Sequence, residues 1–145
     1  MAVFFAKEAG FYIEYIEYLI SSLEGGVFMD NPILTQIGTV FIPVSNIEKA
    51  RDWYCDILGL KTDGEILFGH LYVIPTEGTG IVLDSKIYSE EKIFKIPAFN
   101  LDTKNIEEAF HFMSNKGVNL ITEIQHNHYF NFKDPDGNIL MICEC

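Results

Sequence analysis

The chain has 145 residues, a formal net charge of −11, and 48% hydrophobic and 14% aromatic content. That length bounds it to one domain with a real core, and that composition excludes a disordered chain. The acidity excludes nucleic acid and anionic membrane as partners, and otherwise reads as a solubility device.

Residues 1 to 30 read as an N-terminal extension with no counterpart later in the chain. Phe11, Ile13, Tyr15, Ile16, Tyr18, Leu19 and Ile20 make an apolar helical pattern, but Glu8, Glu14 and Glu17 interrupt it, so it is no membrane span. The start lacks the positive charge of a signal peptide. Two readings stand. The segment is a helix that packs on the sheet or on a dimer partner, or it is a translated leader. The second rests on Glu24-Gly25-Gly26, which a bacterial ribosome-binding sequence can encode, two codons before Met29. A native N-terminus at Met1 decides against it. Residues 31–145 read as a single domain.

The first strand signal is Ile37 to Val44. Ser45 or Asn46 then caps a helix that stops at Gly59. Further strand signals cover Glu65 to Ile74 and Gly80 to Asp84. The second half opens on a strand from Ile93 to Leu101. A helix capped by Asp102 or Thr103 follows and stops at Gly117. Strands are expected at Asn119 to Ile124, Tyr129 to Phe132 and Ile139 to Cys145. The two halves repeat one another, because Asn46-Ile47-Glu48-Lys49-Ala50 returns as Asn105-Ile106-Glu107-Glu108-Ala109. Between the last two strands lies Asp134-Pro135-Asp136-Gly137-Asn138, a tight turn in which Pro presets one dihedral and Gly tolerates a positive φ.

Strand alternation predicts two faces. Val40, Ile42, Val44, Leu71, Val73, Phe99, Leu101, Phe130 and Phe132 read as core. Thr39, Phe41, Pro43, His70, Tyr72, Val82, Asp84, Ile96, Ala98, Asn100, Tyr129, Asn131, Met141 and Cys143 read as the opposite side. Ala50, Trp53, Tyr54 and Ile57 form a helix stripe toward the sheet. His126 and His128 flank Asn127 in a hairpin, and His111 is a helix-surface residue. Cys143 and Cys145 share a strand face, which is poorly placed for an easy disulfide. With Cys55 they make an odd set that fits a reducing compartment. The chain carries no nucleotide-binding glycine loop and no Ser-His-Asp spacing.

The repeat and the DPDG turn together resemble the vicinal-oxygen-chelate superfamily, which groups glyoxalase I, bleomycin-resistance proteins, extradiol dioxygenases and fosfomycin-resistance enzymes. The resemblance implies an α+β fold. Two βαβββ modules, residues 33–85 and 93–145, would form a curved mixed sheet around a cleft, paired within one chain or across a homodimer. It also implies four metal-ligand positions, which fall on Thr39, on Val82 (or Leu83, one residue along), on Ile96 and on Met141. Those residue types do not make a hard-cation site, so no metal and no cofactor are expected. A soft-metal site from Met141, Cys143 and a neighbour is the minor alternative.

The expected function is therefore binding of a small aromatic or apolar molecule in a metal-free cleft, in a cytoplasmic bacterial homodimer. Candidate ligand-binding residues are Thr39, Phe41, His70, Tyr72, Asp84, Asn100, Tyr129, Asn131, Met141 and Cys143. The alternatives are a metal-dependent lyase, isomerase or dioxygenase with displaced ligands, and a structural dimer with a vestigial cleft.

Overall fold

The computed structural model describes Ile16, Glu17 and residues 30–145. The chain divides into two units, residues 1–36 and 37–145. Both readings of the extension, as helix or leader, fall outside the described residues, apart from a helical assignment at Ile16 and Glu17.

The second unit is built from two modules. Module one contains β1 (Thr39–Pro43), α1 (Ile47–Leu58), β2 (Leu71–Ile74) and β3 (Gly80–Asp84). Module two contains β4 (Asn100–Asp102), α2 (Ile106–Asn115), β5 (Asn119–Leu120), β6 (Tyr129–Lys133) and β7 (Ile139–Cys143). Each makes its own sheet, in the orders β1-β3-β2 and β4-β7-β6-β5. In both sheets the first strand runs parallel to the last, and the last runs antiparallel to the one before it.

The repeat in the sequence is a repeat of helix ends. Asn46 accepts a hydrogen bond from the Lys49 amide at 2.9 Å, and Asn105 accepts one from the Glu108 amide at 3.0 Å. Each side chain thus satisfies an amide that the first helical turn leaves without a partner. The second cap is Asn105, not Asp102 or Thr103, because Asp102 ends β4 and Thr103 lies in the link that follows. Both helices stop the same way. Gly59 (φ 66°) and Gly117 (φ 73°) turn left-handed, and the next amides, Leu60 and Val118, reach back to the carbonyls of Cys55 and Met113.

A matching hairpin follows each helix. Phe68 and Gly69 have φ of 51° and 74°, His126 and Asn127 have φ of 52° and 54°, and the amides of His70 and His128 close the turns onto Leu67 and Gln125. Two successive positive φ values make the primed turn that suits strand twist. The strand expected at Glu65 to Ile74 is therefore a turn followed by a short strand, and the one expected at Asn119 to Ile124 is confined to Asn119–Leu120, ahead of its turn. The strand expected from Ile93 to Leu101 is confined to Asn100–Asp102.

The core lies on the helix side of both sheets and runs through both modules. It takes Ile42, Val44, Leu83, Tyr72, Ile74, Phe130, Phe132 and Leu140, all essentially inaccessible, with Tyr54 and Cys55 from α1. Tyr72 is a correction to the expected cleft set: it lies inward, its hydroxyl 3.7 Å from the Cys55 sulfur. Gly64 makes room for it, since a Cβ there would stand 2.8 Å from that hydroxyl.

The DPDGN turn clasps module two to module one. Asp134, buried, accepts from four donors: the Tyr54 hydroxyl at 2.6 Å, the Asn138 side chain at 2.8 Å, and the Asn138 and Asp136 amides at 2.9 Å each. Asn138, fully buried, donates to the Pro43 carbonyl at 2.8 Å and accepts from the Phe94 amide at 2.9 Å. Asp136 adds a bond to the Ser45 amide at 3.0 Å. Burial holds the Asp134 carboxyl above the usual Asp range, despite its donors. Burial, with Asp134 beside it, holds the Tyr54 hydroxyl well above the ordinary tyrosine value.

Candidate functional site

Strand register decides which side chains share the face turned away from the helices. Across the first sheet Phe41 lies beside Val82 and Val73, and Pro43 lies beside Asp84 and Leu71. Thr39, paired with Gly80, belongs to the same face two residues back. Across the second, Asn100, Met141 and Asn131 make one row, and Asp102, Cys143 and Tyr129 the next. Nine of the ten expected site residues thus lie on, or at the edge of, these outer faces, with Tyr72 the exception. On β2 the expected faces are inverted: Val73, 49% exposed, is outward with Leu71, and Tyr72 is inward. Ile96 and Ala98 lie outside the strands, in the link before β4.

The outer faces are mixed in chemistry. Phe41 is half exposed, and Val82 and Cys143 are buried. The Asn131 side-chain oxygen is buried without a hydrogen-bond partner, an acceptor that a donor from outside would satisfy. His70 stands at the mouth of β2 and donates from Nδ1 to Asp84 Oδ1 at 2.8 Å. The Lys86 amide holds that same oxygen at 2.9 Å. A carboxylate in this position orients the imidazole and leaves Nε2 as its proton-exchanging atom.

Among the described residues, the expected residues of the outer faces, Asn100 apart, line none of the principal cavities. A cavity of about 550 Å³ lies instead between the β1 and β4 edges, lined by Ile37, Val40, Thr76, Ile81, Phe99 and Asn100 among others. Asn100 is the one expected site residue in it. A second of about 380 Å³ sits at the N-terminus of α1 against the DPDG turn.

The comparisons with known proteins agree with this topology. The sequence model of the glyoxalase/bleomycin resistance protein/dioxygenase superfamily matches residues 36–142. The chain belongs to this superfamily. A superfamily member from Sphaerobacter thermophilus is 24% identical, with a TM-score of 0.61 over 77% of this chain and 98% of that one. TnmS3, an antibiotic binding protein from Streptomyces, is 21% identical, with a TM-score of 0.63 over 79% and 98%. A lactoylglutathione lyase from Agrobacterium tumefaciens is 15% identical, with a TM-score of 0.58 over 79% and 96%. At these identities the likeness is one of fold. No curated protein matches the chain.

Superfamily membership raises the question of a metal, and the donor chemistry answers it at the expected positions. Register puts Val82, not Leu83, on the outer face, since Leu83 is buried on the helix side. Thr39, Val82 and Met141 offer a hydroxyl, an isopropyl group and a thioether, and Ile96 stands 75% exposed beyond the sheet. This set does not fit a hard divalent cation.

Sequence reasoning missed a second cluster. The ligand atoms of His128, Cys143 and Cys145 lie within 4.8 Å of one another. Cys143 and Cys145 form a disulfide, contrary to the expectation from strand alternation. The reason is that β7 ends at Cys143, so Cys145 is free of the strand's geometry. The signal available in the sequence was the repeat, which aligns His128 with His70. Among the described residues no helix is long and apolar enough to cross a membrane.

Proposed function

We propose that this protein binds a small aromatic or apolar molecule on the outer faces of its sheets, without a metal at the superfamily positions and without turning it over. The observation that carries this reading is the residue set at those positions, Thr39, Val82, Ile96 and Met141, together with the half-exposed Phe41 and Val73 on the first sheet. An aromatic wall with a few polar groups suits a flat ligand. The net charge of −11 suits a cationic one. The likeness to an antibiotic binding protein supports the same reading. Phe41 and Val73, left open on the outer face of the first sheet, favour a homodimer, in which a second copy closes each face into a cleft. The acidic composition and the free thiol of Cys55 fit a bacterial cytoplasm, a reducing compartment in which the Cys143–Cys145 bond would be open.

The test is calorimetric titration of the disulfide-intact protein with a panel of planar cationic antibiotics, with and without a chelator. Binding should be indifferent to the chelator and should weaken about tenfold or more in Phe41→Ala, through loss of aromatic area. Binding that vanishes with the chelator and returns with nickel or manganese would overturn the metal-free reading.

The His70–Asp84 pair supports a second reading, a lyase, isomerase or dioxygenase of the superfamily with displaced ligands. In it His70 exchanges a proton with the substrate while Asp84 fixes the ring. That reading requires turnover that His70→Gln abolishes while ligand affinity survives.

A further inference from the structure

We propose that His128, Cys143 and Cys145 form a redox-gated site for a zinc-class cation, shut while the two sulfurs are joined and opened by a thiol reductant. It shares Cys143 with the outer face described above but does not depend on the ligand reading.

The three donor atoms already converge within 4.8 Å, and the backbone around them is fixed from three directions. The Glu144 amide donates to the His128 carbonyl at 2.8 Å, so the hairpin and the end of β7 move together. The Glu144 carboxylate accepts from the Ile106 amide at 3.0 Å, which ties the same residue to the first turn of α2. The Cys143 carbonyl accepts from the Thr103 amide at 2.9 Å. Glu144 is thus committed to the scaffold, and its neighbours on either side carry the sulfurs.

Module one shows the same frame with other chemistry. There the Ser85 amide meets the His70 carbonyl at 3.0 Å, and the Val44 amide meets the Asp84 carbonyl at 3.1 Å. Asp84, Ser85 and Lys86 correspond to Cys143, Glu144 and Cys145. The carboxylate that orients the first histidine is replaced by a thiol in the second module, and another thiol is added two residues on.

As a staple, the disulfide accomplishes little. It closes a loop of only two residues' separation, and the chain entropy removed from the unfolded state grows with loop length. Cys145 is exposed, so a reductant reaches it. A thiol reductant supplies two electrons and two protons. The Cys143–Cys145 bond breaks, two thiols form, and the reductant's own sulfurs pair. A zinc-class ion then bonds both sulfurs and the His128 imidazole and releases the two thiol protons to solvent. Two thiolates and one imidazole suit a borderline-soft ion, and three protein ligands leave a fourth position open.

The test uses the full chain, reduced with excess dithiol and exchanged anaerobically into metal-free buffer, with cobalt(II) as the probe. One equivalent should bind, with a thiolate-to-cobalt absorption band that zinc abolishes. The oxidised protein should show no band. Cys145→Ser, an exposed position that the fold tolerates, should weaken binding roughly 100-fold or more, since loss of a partner behind the ligands alone costs 10–100-fold. His128→Gln should weaken it while both thiols still react with a thiol reagent, and His70→Gln should leave it unchanged. An equal band in the oxidised protein would overturn the proposal. So would full cobalt binding in Cys145→Ser, or none in reduced protein whose thiols have been counted.

Discussion

In module one the hairpin histidine, His70, meets a carboxylate; in module two its counterpart, His128, meets a pair of sulfurs. The backbone bonds around the two are the same, residue for residue, from the primed turn to the amide that closes each strand end. The helix caps match as well. What was kept between the halves is hydrogen bonding of the main chain, which every fold of this kind must satisfy. What diverged is the side chain placed at a position the main chain holds still. A scaffold of this sort fixes where chemistry can happen and leaves open which chemistry it is. The modules differ in a second respect: module two alone carries the DPDGN clasp.

That difference gives the largest expected effect. Asp134→Ala leaves the Tyr54 hydroxyl, the Asn138 side chain and two amides without an acceptor. Urea unfolding should show a loss of about 3–5 kcal/mol, the range for breaking a buried charged network. The same residue has a pH signature. Its folded carboxyl is held above the usual Asp range. Between the unfolded and folded values the folded state therefore binds more protons, so stability falls as pH rises through that window. Tyr54 acts with the same sign in alkali, because the unfolded chain releases that proton first. Stability measured against pH should therefore decline at both places, and Asp134→Asn should remove the acid one. A slope of opposite sign in the wild type would show that the donors outweigh burial.

The caps sharpen the comparison at a smaller scale. Asn46→Ala and Asn105→Ala should each cost about 1 kcal/mol, and the double variant about twice that. Unequal costs would mean that one module carries more of the fold than the other. Smallest of all is His70→Gln. Its hydrogen bond to Asp84 is partly exposed, and the stability change should stay within about 1 kcal/mol.

The repeat made much of this legible. Asn-Ile-Glu-x-Ala marks both helix starts, Gly59 and Gly117 both stops, and Gly80–Asp84 is a strand with the bounds expected of it. Alternation also grouped Asn100, Tyr129, Asn131, Met141 and Cys143 correctly onto one face. It failed on β2 because the run from Glu65 to Ile74 crosses the turn at Phe68 and Gly69, and a period of two does not survive positive φ. It failed on β4 because the run before Asn100 contains Pro97, which has no amide to give a ladder. The sulfur–sulfur bond was hidden by treating Cys145 as a strand residue. The clasp was hidden for a different reason. Asn138 reads as turn chemistry, and nothing local says that its partners are Pro43 and Phe94.

Asn138 behaves as a spare peptide group. Its amide nitrogen gives to one segment and its oxygen takes from another, as a residue in an interior strand would. One side chain therefore stands in for a rung across the seam between two sheets that share no ladder of their own. A protein joined this way can be inherited, or engineered, in two pieces. If the chain were cut in the connector between Asp84 and Asn100, the halves would carry intact sheets and caps, and their reassembly would draw on that carboxamide together with the Tyr54–Asp134 and Ser45–Asp136 bonds and the shared core.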